Sequence, residues 1–500
     1  MPGDFAQRIT EAYTVAGDAI ELGRGVHEGE LHQDAVVRLP LAMTNRHGLV
    51  AGATGTGKTR TLQLVAEQLS AAGVPVFVGD VKGDVSGMSE PGPGGKAAAR
   101  MEELGLPWEP TAFPVEFFSL GGIGPGVPIR ASVSDFGPQL LAKILGANET
   151  QEQALALVFR YADENGLPLV DLSDLRALLA FLDSDEGKDS LEGLGGVSGA
   201  TIGVLLRALV PLEDGGGTEL FGEPQLRIED LLRTAPDGRG IVSMLELAAV
   251  QELPQLWSTA TMWLLAELFE TLPEVGDLPK PKLVFFLDEA HLLFKDATPA
   301  FVESVVRTVR LIRSKGVGVF FVTQSPTDLP RDVLAQLGNR IQHSLRAFTA
   351  EDAEALKQAT RTYPKSDLYD LEQLLTSLGI GEAAVTVLTP KGTPTPVVHT
   401  RLVAPRSSMA PAADVAGAAA RSPLQGSYGA RIDRESAREL LAKRLEAAQG
   451  EEKEAQPAPK SRGKKGGLQD NPVVDFLTSR QGVSITREVV RGVFAVLKKR

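Results

Sequence analysis

Short apolar runs alternate with helix-period stretches through roughly the first 400 residues. Six runs read as buried strands: His47–Gly52, Val74–Gly79, Val115–Leu120, Ile241–Leu247, Leu283–Leu287 and Val317–Val322. They are rich in Val, Ile, Leu and Phe and lack polar alternation, as strands covered on both faces do. Between them the apolar spacing turns helical, for example over Lys58–Ala72 and Pro299–Ser314. Strands joined through helices predict crossover connections, hence an α/β fold with a mostly parallel sheet.

One segment breaks this rhythm. Over residues 135–232 the spacing is helical throughout, as in PQLLAKILG and QEQALALVFRYADENG, with Gly-rich interruptions at Leu191–Gly199 and Asp214–Gly217. This predicts an all-α insertion that divides a discontinuous core, residues 1–134 and 233–403. Glu90–Gly95 (EPGPGG) reads as a flexible loop. Residues 404–470 turn rich in Ala, Pro and charge and read as low-complexity linker. Within them Glu451–Gly467 has too little apolar material to fold alone. Residues 471–500 regain helical spacing and end basic, in LKKR, and there is no internal repeat.

Charge and composition narrow the classes. With 64 acidic against 51 basic side chains, the net charge of −13 argues against a small, purely electrostatic nucleic-acid binder. It leaves room for a local basic channel, because the field in a groove depends on where charges sit. The chain has no cysteine, which excludes disulfides, thiolate metal sites and cysteine nucleophiles. No apolar stretch approaches the roughly 18 residues that a membrane span needs. The N-terminus lacks a basic start followed by an apolar block. The expectation is a cytoplasmic protein with no membrane contact.

The chemistry enters at Gly52-Ala53-Thr54-Gly55-Thr56-Gly57-Lys58-Thr59, which fits G-x-x-x-x-G-K-[ST] between a predicted strand and a predicted helix. Glycines let such a loop curl so that its N–H groups face phosphate oxygens, and the helix that follows adds its positive end. The predicted nucleotide-binding set is therefore Gly52, Ala53, Thr54, Gly55, Thr56, Gly57, Lys58, Thr59 and Arg60. Lys58 reaches the β- and γ-phosphates, and Thr59 offers its hydroxyl to Mg²⁺. A dinucleotide-fold reading fails, because Gly55-Thr56-Gly57 is followed three residues later by Arg60 instead of Gly or Ala.

A second motif, Lys282–Glu289, is an apolar strand ending in two carboxylates. Asp288 is expected to hold Mg²⁺ on the strand end next to the phosphate loop, and Glu289 to polarise the attacking water. Gln324, at the tip of the last predicted strand, is placed to sense a γ-phosphate. Asp80, in GDVKGDVSG, either helps order metal-bound water or caps its turn. His291 is as readily packed as functional, and Thr44–His47 is a weak candidate for contact with the nucleotide base.

Only one phosphate loop is present, and the residues beyond 400 are too few for a second α/β core. Fast hydrolysis in this class requires a cation on the developing transition-state charge. A neighbouring subunit can supply it, which points to a ring. Arg307, Arg310 and Arg313 fall on one helical stripe, with Arg340 and Arg346 as rivals.

With these motifs the chain resembles the HerA/FtsK superfamily of ring-forming P-loop ATPases, and among them the bacterial HerA-like proteins. The matching stretches are NRHGLVAGATGTGKT, GVPVFVGDVKGDVSG, LVFFLDEAHLLF, GVGVFFVTQSPTDLP, SLGIGEAAV and SITREVVRGVFAVLKKR. The resemblance implies a RecA-like core, ATP and Mg²⁺ as ligands and self-assembly into a hexameric ring. It also implies Lys58, Glu289 and Gln324 as catalytic groups, Thr59 and Asp288 on the metal, and Arg313, in RSKG, as a finger acting in trans. HerA itself carries an N-terminal β-barrel that docks the nuclease NurA. Only about 47 residues precede the first core strand here, so a NurA-type partner is not expected.

Two functions follow from this reading. The first is an ATP-driven DNA translocase or helicase-like motor. The alternative is an ATP-gated oligomeric switch that acts on protein partners without nucleic acid. A two-core DEAH-type helicase, suggested by Asp288–His291, would need a second core.

Overall fold

The computed structural model describes residues 2–184, 187, 190, 195–295 and 297–455. The basic segment 471–500, linker residues 456–470 and residues 191–194 of the first Gly-rich interruption lie outside them.

The strands in chain order are β1 (Ala19–His27), β2 (Glu30–Pro40), β3 (Gly48–Ala51), β4 (Val76–Asp80), β5 (Val115–Leu120) and β6 (Val127–Ile129). They continue with β7 (Val242–Glu246), β8 (Leu283–Leu287), β9 (Val317–Thr323), β10 (Asn339–Gln342), β11 (Glu382–Thr386) and β12 (Val398–Leu402). They form one sheet in the order β2-β1-β12-β11-β10-β3-β9-β8-β4-β7-β5-β6. From β10 to β6 every neighbouring pair is parallel, and β11, β12, β1 and β2 extend the sheet antiparallel. The six predicted strands are β3, β4, β5, β7, β8 and β9.

The lack of polar alternation in these strands has a direct cause. In β8, Leu283, Phe285 and Leu287 enter one core while Val284 and Phe286 enter the core on the opposite face. β9 divides likewise, with Val319 and Phe321 on one side and Phe320 and Val322 on the other. The strands that the pattern does not reveal are short or polar. β6 has three residues, β10 reads NRIQ, and β2 reads ELHQDAVVRLP. Their apolar content is too low or too brief for a two-sided strand signal.

Helices Val133–Ile144, Glu149–Glu164, Leu172–Asp183 and Gly199–Leu212 follow β6 and pack on one face. Helix Lys58–Ala71 lies on the other face. Among the described residues no helix is long and apolar enough to cross a membrane.

The linker expectation needs correction over residues 404–441. This stretch returns across the fold as a strap. The Arg406 and Ser407 amides donate to the buried Glu67 carboxylate at 2.8 and 3.0 Å, and the Ser407 hydroxyl donates to it as well. Gln63 donates to the Ser408 carbonyl at 2.8 Å. The amides of Gly92 and Thr111 donate to the Arg406 carbonyl, so the Glu90–Gly95 loop is also tied down. Further on, Leu424, Tyr428, Ala437 and Leu441 are buried in the same core as the helices that follow β6. Polar anchors on a distant helix hold much of the strap, and composition cannot reveal such partners.

Candidate functional site

The phosphate loop leaves the tip of β3 and curls through left-handed glycines, with φ of 154° at Gly52, 83° at Gly55 and 116° at Gly57. A Cβ on Gly52 would lie 2.4 Å from that of His343, so this position needs glycine for space as well as conformation. The Gly52 amide donates to the carbonyl of Gln324 at 3.1 Å, and that of Ala53 to Ser344 at 2.8 Å. These bonds fix the loop to the neighbouring strand ends. Within it, the Thr56 hydroxyl and the Lys58 ammonium both donate to the Ala53 carbonyl, at 2.7 and 3.2 Å. Burial lowers the Lys58 pKa, opposed by Glu289, Asp288 and Asp328. Thr59 sits half-buried in the first turn of the helix. The Arg60 side chain donates to Gln63 and to the Asp84 carbonyl, so it braces the loop after β4.

The acidic strand is not the immediate neighbour of the loop's strand in the sheet. β9 intervenes between β3 and β8. At about 4.8 Å per strand, the tips of β3 and β8 stand roughly 10 Å apart. Gln324, exposed, occupies the tip between them.

Asp288 directly follows β8 and is 2% exposed, and its Oδ2 has no hydrogen-bond partner. Burial, then the Glu289 charge, raises its pKa to about 7. Carboxylate oxygens of Asp80, Asp84 and Asp288 all lie within 4.8 Å of one another. The buried Asp84 Oδ1 is also unpartnered. Asp80 instead accepts the Gly83 and Val85 amides at 2.8 and 2.9 Å, so it caps its turn. Orphaned anionic oxygens in a buried cluster fit a hard divalent cation such as Mg²⁺.

Glu289 follows with φ of 46°, rare for a side-chain-bearing residue and typical of constrained sites. Its Oε1 pairs with Lys82 Nζ, and His291 Nδ1 lies 3.3 Å from its Oε2. Burial pushes its pKa up, but Lys82, His291 and Gln324 together more than reverse this and hold it below the usual range. An ionised carboxylate beside the phosphate loop suits a water-polarising role.

The pattern of the family described as Helicase HerA-like C-terminal matches residues 26–499. The chain belongs to that family. No curated protein sequence matches it. Among solved structures, it is similar to the bacterial conjugative coupling protein TrwBΔN70 in an unbound form. The identity is 17% and the TM-score 0.52, over 81% of this chain and 94% of that one. It is likewise similar to plasmid coupling protein TrwB in complex with the GTP analogue GDPNP, at 18% identity and TM-score 0.50, covering 79% and 98%. A TrwB complex with ADP and Mg²⁺ matches at 16% and 0.51, covering 81% and 94%. These likenesses show the fold, a RecA-like P-loop core.

In this HerA-like chain the remaining candidates divide between the two ends of the sheet. Thr44–His47 lies at the opposite end of β3 from the phosphate loop, which removes it from any base contact. There His47 Nδ1 accepts the Val319 amide at 3.1 Å, and burial lowers the His47 pKa to about 4. Arg313 lies at that same end, just before β9, with Arg46 and Asp277 as its charged neighbours. At about 3.3 Å per residue the seven-residue β9 puts it roughly 20 Å from Gln324. Arg307 and Arg310 are exposed on the preceding helix. Arg340 is spent on the carbonyls of Leu334, Leu337 and Thr362 and stacks on Tyr363, which marks it as structural. Arg346 donates to the Thr54 carbonyl at 3.2 Å, at its own phosphate loop.

Sequence reasoning did not single out Lys82 or Asp84, although both stand in GDVKGDVSG beside Asp80. A charged loop following a buried strand was the available signal.

Proposed function

We propose that this HerA-like chain is a Mg²⁺-dependent ATPase that assembles into a ring, hexameric by the family resemblance, and moves along or remodels DNA. The observation that carries the ATPase reading is the partnerless, buried Asp288 Oδ2 among acidic strand tips beside the curled phosphate loop. A buried anionic oxygen without a partner is costly, and a bound cation offsets that cost. TrwB, solved with ADP and Mg²⁺, supports the same ligands here.

In this mechanism the loop amides and Lys58 bind and orient the triphosphate. Thr59 and Asp288 would hold Mg²⁺, which would offset the negative charge of the triphosphate. Glu289 orients water and takes its proton as the water oxygen bonds to the γ-phosphorus. The bond from that phosphorus to the bridging oxygen breaks, and ADP leaves. Gln324 reports whether a γ-phosphate is present. Arg313 is too far from its own site to help there, which supports action on a neighbour's site.

The test is ATP turnover with and without Mg²⁺ and DNA, together with filter binding at rising salt. Mg²⁺-dependent turnover, stimulated by DNA whose binding weakens steeply with salt, is expected. Turnover with neither DNA binding nor stimulation would discard the DNA motor. It would favour the oligomeric switch acting on proteins, which the net charge of −13 also suits.

A further inference from the structure

The loop after β4 aims a second lysine at the same strand tips as Lys58. Asp80 fixes the loop through the Gly83 and Val85 amides, Arg60 through the Asp84 carbonyl, and Gln251 through the Val81 carbonyl at 2.6 Å. The Lys82 side chain is 43% exposed, whereas that of the Glu289 it pairs with is 6% exposed. Its ammonium thus reaches in from the solvent rim while the carboxylate stays inside. Lys82 lies close enough to Lys58, Asp288 and Asp84 to interact with each electrostatically. Lys82 holds Oε1 of Glu289, whereas the buried Oε2 makes no hydrogen bond, with His291 Nδ1 3.3 Å away. The ion pair fixes the orientation of the carboxylate and occupies one of its two oxygens.

We propose that Lys82 is a nucleotide-responsive positioning group that ties Glu289 in the free protein and moves to a γ-phosphate oxygen when a nucleoside triphosphate binds. A γ-phosphate carries more negative charge than one carboxylate and outcompetes it for the ammonium. The transfer exchanges one charge-assisted hydrogen bond for another. Lys82 stays protonated, no covalent bond changes, and Glu289 is released to meet the attacking water. Hydrolysis competence then arises only with a triphosphate, because a diphosphate offers no oxygen at that position. The proposal rests on reading residues 52–59 as the triphosphate site.

The test compares the wild type, Lys82→Gln, Lys82→Arg and Lys58→Ala, each titrated with Mg-ADP and with a non-hydrolysable Mg-ATP analogue. Single-turnover ATP hydrolysis is measured alongside. Lys82→Gln is expected to bind ADP within about twofold of wild type but the ATP analogue about tenfold more weakly, with hydrolysis slowed at least as much. Lys82→Arg should recover most of the analogue affinity. A merely structural role would shift ADP and analogue binding alike, and that result overturns the proposal. So does a Lys82→Gln protein whose analogue binding is unchanged, or one that hydrolyses ATP at or above the wild-type rate. Lys58→Ala separates the two ideas. Undiminished binding by that variant refutes the triphosphate site itself, whereas its loss with Lys82→Gln indifferent refutes only the role of Lys82.

Discussion

Replacing Glu246 with glutamine is expected to stabilise the protein at alkaline pH and to do little under acid conditions. Glu246 ends β7, is 5% exposed, and leaves its Oε1 without a hydrogen-bond partner. Burial first, and the neighbouring Asp80 charge second, raise its pKa from 4.5 to about 8. In the unfolded chain the carboxyl ionises near its ordinary value, whereas the folded chain retains the proton up to about pH 8. Between those values the folded state binds more protons, so stability falls as pH rises and then levels off. The difference of roughly 3.5 pH units at 1.36 kcal/mol each sets an upper limit of about 5 kcal/mol. Glutamine keeps the shape and has no charge to desolvate, so it avoids this loss. The expected gain is close to zero near pH 4.5 and reaches a few kcal/mol by pH 8.5. Thermal unfolding of both proteins at pH 5 and pH 8.5 reads it directly, as a Tm difference that widens at the higher pH. An equal difference at both pH values, or a variant that melts earlier at pH 8.5, would refute the electrostatic account of these strand tips.

Other consequences are as direct. Glu289→Gln should keep nucleotide affinity near wild type while single-turnover hydrolysis falls by a hundredfold or more, on the order of a lost general base; wild-type turnover would remove Glu289 from the reaction. Neither Arg313→Ala nor Lys58→Ala alone should hydrolyse ATP, but mixed subunits should regain part of the activity if the two groups meet across an interface. Mixtures as inactive as their parts count against action in trans. Glu67→Ala strips the acceptor from the Arg406 and Ser407 amides. At about 1–3 kcal/mol per buried group left unpaired, the strap should loosen and trypsin should cut at Arg406 markedly faster. An unchanged cleavage rate would show that Glu67 does not hold it.

The parts of this molecule that the sequence exposes are those where one local pattern carries the physics. The GATGTGKT run reads as a phosphate loop because glycines, lysine and threonine must stand at those spacings whatever surrounds them. LVFFL and VGVFFV read as central strands because two cores press on them from opposite faces. The strands β1, β2 and β12 are harder to read, since each gains its place from pairing with a distant segment. Thr44–His47 misled for a related reason. Closeness in sequence to the phosphate loop does not help when an intervening strand carries the chain to the other end of the sheet.

By itself, the sequence determined the α/β rhythm, the loop at residues 52–59 and the acidic strand end at Asp288 and Glu289. Only the tertiary structure decided that β9 separates the phosphate-loop strand from the acidic strand. It also brought Lys82 onto Glu289 and gathered Asp80, Asp84 and Asp288 around orphaned oxygens. It turned a stretch with the composition of a linker into a strap closed on Glu67. Periodicity records how much of each residue is covered. Which distant group does the covering, and with what charge, is fixed by the order in which strands and loops meet in space.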